Sequence, residues 1–263
     1  MDELRSLALS ALRIAEPAAR CAAVGELASF DGGIDTQTAI AEPPGVPGRP
    51  ARPLLVPPGA VAPRSVGTSE GRAALLHALA HIEFNAIGLA LDHLWRFAGL
   101  PEEYYRDWLR VAVEEAHHFE LLLGRLRDAG YDYGDFPAHD GLWEMARRTA
   151  HDPLARMALV PRTLEARGLD ASPAVRAKFI AIGDLGSARV IDVILRDEIG
   201  HVAVGNRWFR FLCQARGLDP PAAFREALGR HGAPRHRGPV NVSARLQAGF
   251  TRQELDELQR SVR

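Results

Sequence analysis

Glu115-Ala116-His117-His118 and Glu198-Ile199-Gly200-His201 decide how this chain is read. Each string sets a carboxylate and an imidazole three residues apart inside a long helical pattern. On an α-helix that spacing turns the second side chain about 60° from the first and raises it roughly 4.5 Å, so both can reach one cation. A single Glu-x-x-His string arises often by chance. Two copies, with a further Glu in each of two other helical segments, make the ligand set of a carboxylate-bridged metal pair in a four-helix bundle.

Apolar periodicity tests whether these residues face a core. In the first long segment Leu76, Leu79, Ala80, Ile87, Ala90, Leu91 and Leu94 form a stripe, and Glu83 lies on it. In the second, Trp108, Val111, Leu122 and Ala129 define a seam that contains Glu115 and His118. The rival pair, Glu114 and His117, falls about 100° away beside Asp107 and Arg110, which assigns it to solvent or to a supporting role. Ile191, Ile194, Trp208 and Leu212 bracket Glu198 and His201, and Leu154, Ala158 and Pro161 lead to Glu165. Axial height agrees. Glu83 precedes the turn at Leu100 by about 17 residues, and Glu115 and His118 follow it by about 15 to 18, so an antiparallel hairpin brings all three to one level.

Punctuation residues set the expected spans. A first core helix runs from Ser69, with Ser69-Glu70 as its cap, to Gly99; a second runs from Pro101 to Gly130. Asp152-Pro153 opens a third that ends near Gly168, which puts Glu165 close to a helix end, with a short helix after Pro173. A fourth runs from Gly186 to Arg216, with Pro220 and Pro221 beyond its stop, and a last short helix starts near Thr251. One or two amphipathic helices are expected over residues 4–27. Residues 41–67 carry Pro43, Pro44, Pro47, Pro50, Pro53, Pro57, Pro58 and Pro63, which exclude helix and imply an extended strap held to the body by Leu54, Leu55 and Val56. The expected organisation is an N-terminal helix and strap (1–68), a four-helix bundle (69–217) and a C-terminal extension packing on it (218–263).

Composition narrows the class. Of the 263 residues 47% are hydrophobic and 7% aromatic, and the net charge is −1, which gives no global pull towards nucleic acid or acidic lipid. Cys21 and Cys213 are too few for a disulfide framework and fit a reducing cytoplasm. The N-terminus, with Asp2, Glu3, Arg5 and Arg13, lacks the continuous apolar run of a signal peptide, and no later run reads as a bilayer span. Lys178 is the only lysine, and the arginine excess reads as the mark of a GC-rich genome. Arg225, Arg230, His231, Arg235, His236, Arg237 and Arg245 make the C-terminal region locally basic, read as a solvated tail without the interleaved aromatics of a single-strand binder.

With these residues assembled, the chain resembles the ferritin-like superfamily. It looks most like the bacterial DUF455 proteins, whose function is uncharacterised. The resemblance is carried by the segment from Gly71 to Glu83, Glu114-Glu115-Ala116-His117-His118-Phe119, Glu165-Ala166-Arg167-Gly168-Leu169-Asp170, Asp197-Glu198-Ile199-Gly200-His201-Val202 and Pro239-Val240-Asn241. It spans roughly residues 46–258. The Glu-Ala-Arg string is also locally similar to tRNA-modifying di-iron hydroxylases. The resemblance implies an all-α, ferritin-like bundle with a two-metal centre.

The expected ligands are therefore Glu83, Glu115, His118, Glu165, Glu198 and His201, with Glu115 and Glu198 bridging. Asp184, Asp192 and Asp197 are candidates for orienting the imidazoles. One His per metal among carboxylates suits iron, or manganese, better than zinc. The expected function is an O₂-activating oxidoreductase of hydroxylase or oxidase type, acting as a monomer or dimer on a small molecule. Its electron donor is unidentified, and tRNA is a minor alternative substrate. Iron storage, ferroxidase or peroxide detoxification, and a non-catalytic metal-binding role, are the competing readings. Fold alone does not choose among them.

Overall fold

The computed structural model describes residues 3–61, 65–233, 236 and 238–262. Asp2, Pro63, Arg235 and Arg237 lie outside them. The fold is all-α: among the described residues the only β pairing is an isolated parallel bridge between Leu55 and Ala138. The chain forms two compact units, residues 1–143 and 144–263.

In the first unit α1 (Leu4–Leu12) and α2 (Pro17–Leu27) are each capped by a glutamate: Glu3 accepts from Arg5 N and Ser6 N, and Glu16 from Ala18 N and Ala19 N. They pack on a long hairpin of α3 (Ser69–Arg96) and α4 (Glu102–Asp128). The cap of α3 is Thr68, one residue earlier than expected, and its hydroxyl accepts from Gly71 N at 3.0 Å. The hairpin turns at Gly99, whose φ of +78° only glycine adopts without strain. Its register is read from ring pairs: Phe84 meets Phe119 (centroids 5.4 Å apart), and nearer the turn, nine residues on along α3 and eleven back along α4, His93 stacks on Trp108 at 3.8 Å.

By length and composition α3 could cross a membrane, with a mean hydropathy of 1.4 in its most apolar window, which the sequence reading had excluded. Here it is a core helix: 72% of that window is buried within the protein.

Two arginines tie the N-terminal helices to this frame. Arg5, fully buried, donates to the carbonyls of Leu94, Trp95, Asp35 and Thr38, so it closes the C-terminal end of α3 where a cation also suits the helix dipole. Arg20 donates to Leu12, Ile14 and Gly48 and stacks over Phe84; burial lowers its pKa to about 10. Buried positions such as these are filled by arginine for its planar fork of donors. A reading of arginine as genome bias passed over them.

Among the described residues the strap has no α-helix, only turns at Pro44-Gly45 and Val66-Gly67 and one 3₁₀ turn at Pro58–Ala60. It is not held by its leucines. Leu54 and Leu55 are exposed, and the attachment runs through the backbone, Ala138 N to Leu54 O at 3.0 Å and Val56 N to Ala138 O at 2.8 Å.

The boundary between units falls inside α5 (Gly141–Arg148). In the second unit a helical rod comprises α6 (Pro153–Leu159), a π-helical turn (Val160–Glu165) and α7 (Ala166–Ala181). The chain returns as α8 (Leu185–Ala215), then forms α9 (Pro220–Arg230), α10 (Val242–Gln247) and α11 (Arg252–Val262). Three expectations are corrected here. Glu165 is not near a helix end; it closes the π-turn inside a continuous rod. Pro161 enters that turn, where the wider winding accommodates its missing N–H, and Thr163 Oγ1 donates to the Ala158 carbonyl at 2.7 Å.

Pro173 does not start a helix; α7 runs through it. Its absent N–H would orphan the Leu169 carbonyl, but Asn241 Nδ2 donates there at 3.1 Å. Pro220 and Pro221 are not only a stop: they open α9, capped by Asp219, because proline costs nothing in a first turn.

The C-terminal extension is fastened to α7 by polar contacts. Asp170 accepts from Asn241 N (2.8 Å) and pairs with Arg245 (2.6 Å), a buried residue and no part of a solvated tail. Ala166, Leu169, Val202, Ala244, Ala248, Phe250 and Leu255 form the apolar cluster around this joint.

Arg162, on the π-turn, pairs with Glu254 at 2.5 Å, and Glu254 also completes a capping box with Thr251 at the start of α11. Burial raises the Glu254 pKa, but Arg162 and the Thr251 N–H outweigh it and leave it below its ordinary 4.5. A carboxylate with a depressed folded pKa stabilises above its unfolded pKa and loses that contribution as pH falls through the folded one. Glu254→Gln is expected to cost about 2 kcal/mol at pH 7. Thermal melts should show the gap to wild type narrowing as pH drops below the ordinary glutamate value; a gap independent of pH would refute the assignment.

Candidate metal centre

The first unit holds three of the expected residues together. Glu83 comes from the stripe of α3, and Glu115 and His118 from one face of α4; all three are buried. His118 Nδ1 lies 3.4 Å from Glu115 Oε2 and 3.5 Å from Glu83 Oε2. The hairpin register therefore does what the equal distances from the turn implied. The rival residues separate as expected, with His117 exposed and Glu114 half-buried.

Burial acts first on His118, lowering its pKa, but the hydrogen bonds and charges of Glu115 and Glu83 outweigh it and raise the value to about 11. Two buried carboxylates thus draw positive charge to the point where they meet. Desolvated carboxylates need such a cation, and a metal ion meets the same demand with direct bonds.

In the second unit Glu198 and His201 lie one turn apart on α8, both buried, with His201 Nδ1 3.3 Å from Glu198 Oε1. Glu165 ends the π-turn and is half-buried. Pro161 sits against Gly205 of α8; counting one turn forward on the rod and one turn back on α8 places Glu165 level with His201. Glu115, His118, Glu198 and His201 are buried side chains of a kind that could hold a metal ion, and Glu83 is buried beside the first pair.

The three aspartates considered for orienting the imidazoles make the following contacts. Asp184 caps α8 through Ser187 N at 2.9 Å, Asp192 pairs with Arg176, and Asp197 with Arg196. By its position just past the second helix Tyr133 is expected to lie away from the metals, but it packs on the neighbours of the first cluster. It follows the end of α4, yet the chain folds back so that its ring packs on Phe84 and Phe119, and its hydroxyl meets His81 Nδ1 at 2.8 Å. Burial raises its pKa, and the same burial lowers His81 to about 4, so this pair is neutral at physiological pH. No local pattern announces such a contact, since it depends on a turn of glycine and aspartate residues.

An all-α chain with buried carboxylate–imidazole clusters is the class these observations define. The chain matches the family described as "Protein of unknown function (DUF455)" over residues 13–256, and it belongs to that family. It is similar to an uncharacterized protein of Haemophilus influenzae (strain Rd), 53% identical over 214 residues that cover 79% of this chain and 74% of the relative. No solved structure matches it.

Proposed function

We propose that the two clusters supply one carboxylate-bridged two-iron centre in a ferritin-like four-helix bundle, and that the protein is an O₂-dependent oxidoreductase of hydroxylase or oxidase type. The observation that carries this reading is the pair of buried Glu-x-x-His clusters, each on a long helix and each at one height with a carboxylate of the partner segment. Glu115 and Glu198 would bridge, His118 and His201 would hold one ion each, and Glu83 and Glu165 would be terminal ligands. Manganese fits the same donors.

An iron pair supplies the two electrons needed to reduce O₂ against a bound substrate. The protein's own contribution is a rigid, dehydrated donor set. The stripe of α3 and the seam of α4 exclude water around Glu83, Glu115 and His118, while the π-turn sets where the Glu165 carboxylate sits on its rod. A cavity in the second unit, described below, favours turnover of a small molecule over iron storage.

Loading the full chain with Fe(II) under argon should give two ions per chain that survive desalting. Admitting O₂ should then change the visible absorption. Retained iron that does not respond to O₂ would leave a metal-binding protein without this activity. A chain that keeps no iron and no manganese would refute the centre itself.

A further inference from the structure

The second unit contains a cavity of about 640 Å³, within the range of small-molecule sites. Much of its wall is apolar: Pro221, Phe224 and Leu228 from α9, Phe250, and Leu258 from α11. Four arginines and two glutamates also border it, so its charged lining is net positive.

The decisive residue is Arg162. Its side chain is fully buried, and among the described residues its ion-pair partner is Glu254. Its guanidinium lies within 4.4–5.1 Å of the ring centroids of Phe209, Phe224 and Phe250. Among the described residues its Nε and Nη1 have no hydrogen-bond partner. Leaving two donors of a buried cation unsatisfied is costly, and three phenyl faces recover only part of that cost. Nη2 carries a second hydrogen besides the one given to Glu254, and with Nε or Nη1 it makes a fork from which a planar carboxylate accepts two parallel N–H bonds, a geometry that no neutral head reproduces.

We propose that this cavity binds a small aliphatic carboxylate, its head on Arg162 and its chain along Phe224, Leu228 and Leu258. Position adds a consequence. Arg162 and Glu165 belong to the same six-residue π-turn, the first in the cavity wall and the second a candidate metal ligand. On the reading given under Proposed function, and resting on it, the occupant is the substrate.

The test uses the full chain stripped of metal with EDTA, so that it reads the cavity alone. Calorimetric titration with decanoate should give binding at least about tenfold tighter than with 1-decanol or with inorganic phosphate. Arg162→Lys keeps the charge and loses the fork, and should weaken decanoate about tenfold without changing decanol. Should that variant fold poorly, Leu228→Trp fills the cavity from a half-buried position on α9 and should abolish binding. Equal affinity for decanoate and decanol, or decanoate binding unaffected by Leu228→Trp, overturns the proposal. Decanoate binding by a chain that holds no iron in the metal test upholds the cavity and refutes only the substrate assignment.

Discussion

On the proposed two-iron centre, replacing Glu115 with alanine is expected to reduce retained iron from two ions per chain to fewer than one, the largest effect anticipated for any single substitution. Glu115 is buried on α4, and its carboxylate lies beside His118 Nδ1. As a bridge it would bond to both ions, so its loss weakens both sites together, whereas loss of a terminal ligand such as Glu83 would weaken one. Alanine also leaves a small cavity and an imidazole with one carboxylate neighbour fewer, so an unfolded variant could mimic the result. Glu115→Gln separates the two effects: it keeps the shape, cannot bridge two cations, and should lose iron while its helical circular dichroism stays that of wild type. Metal analysis after desalting provides the measurement. A folded Glu115→Gln protein with full iron content would end the bridging assignment.

Gly205→Ala is expected to be the most damaging one-carbon change. A Cβ at Gly205 would lie 2.4 Å from Pro161 Cβ and 2.6 Å from its Cγ, far inside van der Waals contact. A proline ring cannot rotate away, so α8 or the π-turn must shift. Overpacking of this kind costs about 2–3 kcal/mol. For a chain of this size that corresponds to a fall in Tm of roughly 5–10 °C. The shift would also displace Glu165, four residues along the rod, so iron retention should fall with stability. Gly200→Ala, exposed on the same helix and with nothing within 4 Å of its added carbon, is the control and should raise Tm by about 2–4 °C, the gain of alanine over glycine inside a helix. A Gly205→Ala protein as stable as the Gly200→Ala protein would show that the close approach of rod and helix is not maintained.

Much of the first cluster was legible in the sequence because helical geometry is local. A three-residue spacing, an apolar stripe and two equal distances from a glycine turn are enough to bring Glu83, Glu115 and His118 to one height, and the hairpin has them there. The same logic separated Glu115 and His118 from Glu114 and His117, which differ by one residue and about 100°. It failed where a distant group changes a local rule. Pro173 reads as a helix start until Asn241 is seen to satisfy the carbonyl it frees. The strap leucines read as anchors until the backbone bonds to Ala138 are found. Arg162 had no sequence signal, because its partners Phe209, Phe224, Phe250 and Glu254 are all more than forty residues away.

By itself, then, the order of residues determined the all-α class, the two long hairpin helices and the alignment of their acidic and imidazole side chains, since periodicity and capping act within a few turns. Only the tertiary structure decided the π-turn at Val160–Glu165, the passage of α7 through Pro173, the buried arginines and the cavity beneath α9. Each of those depends on hydrogen bonds and ring contacts between segments far apart in the chain, whose cost or gain is undefined until the backbone has folded and water has been excluded.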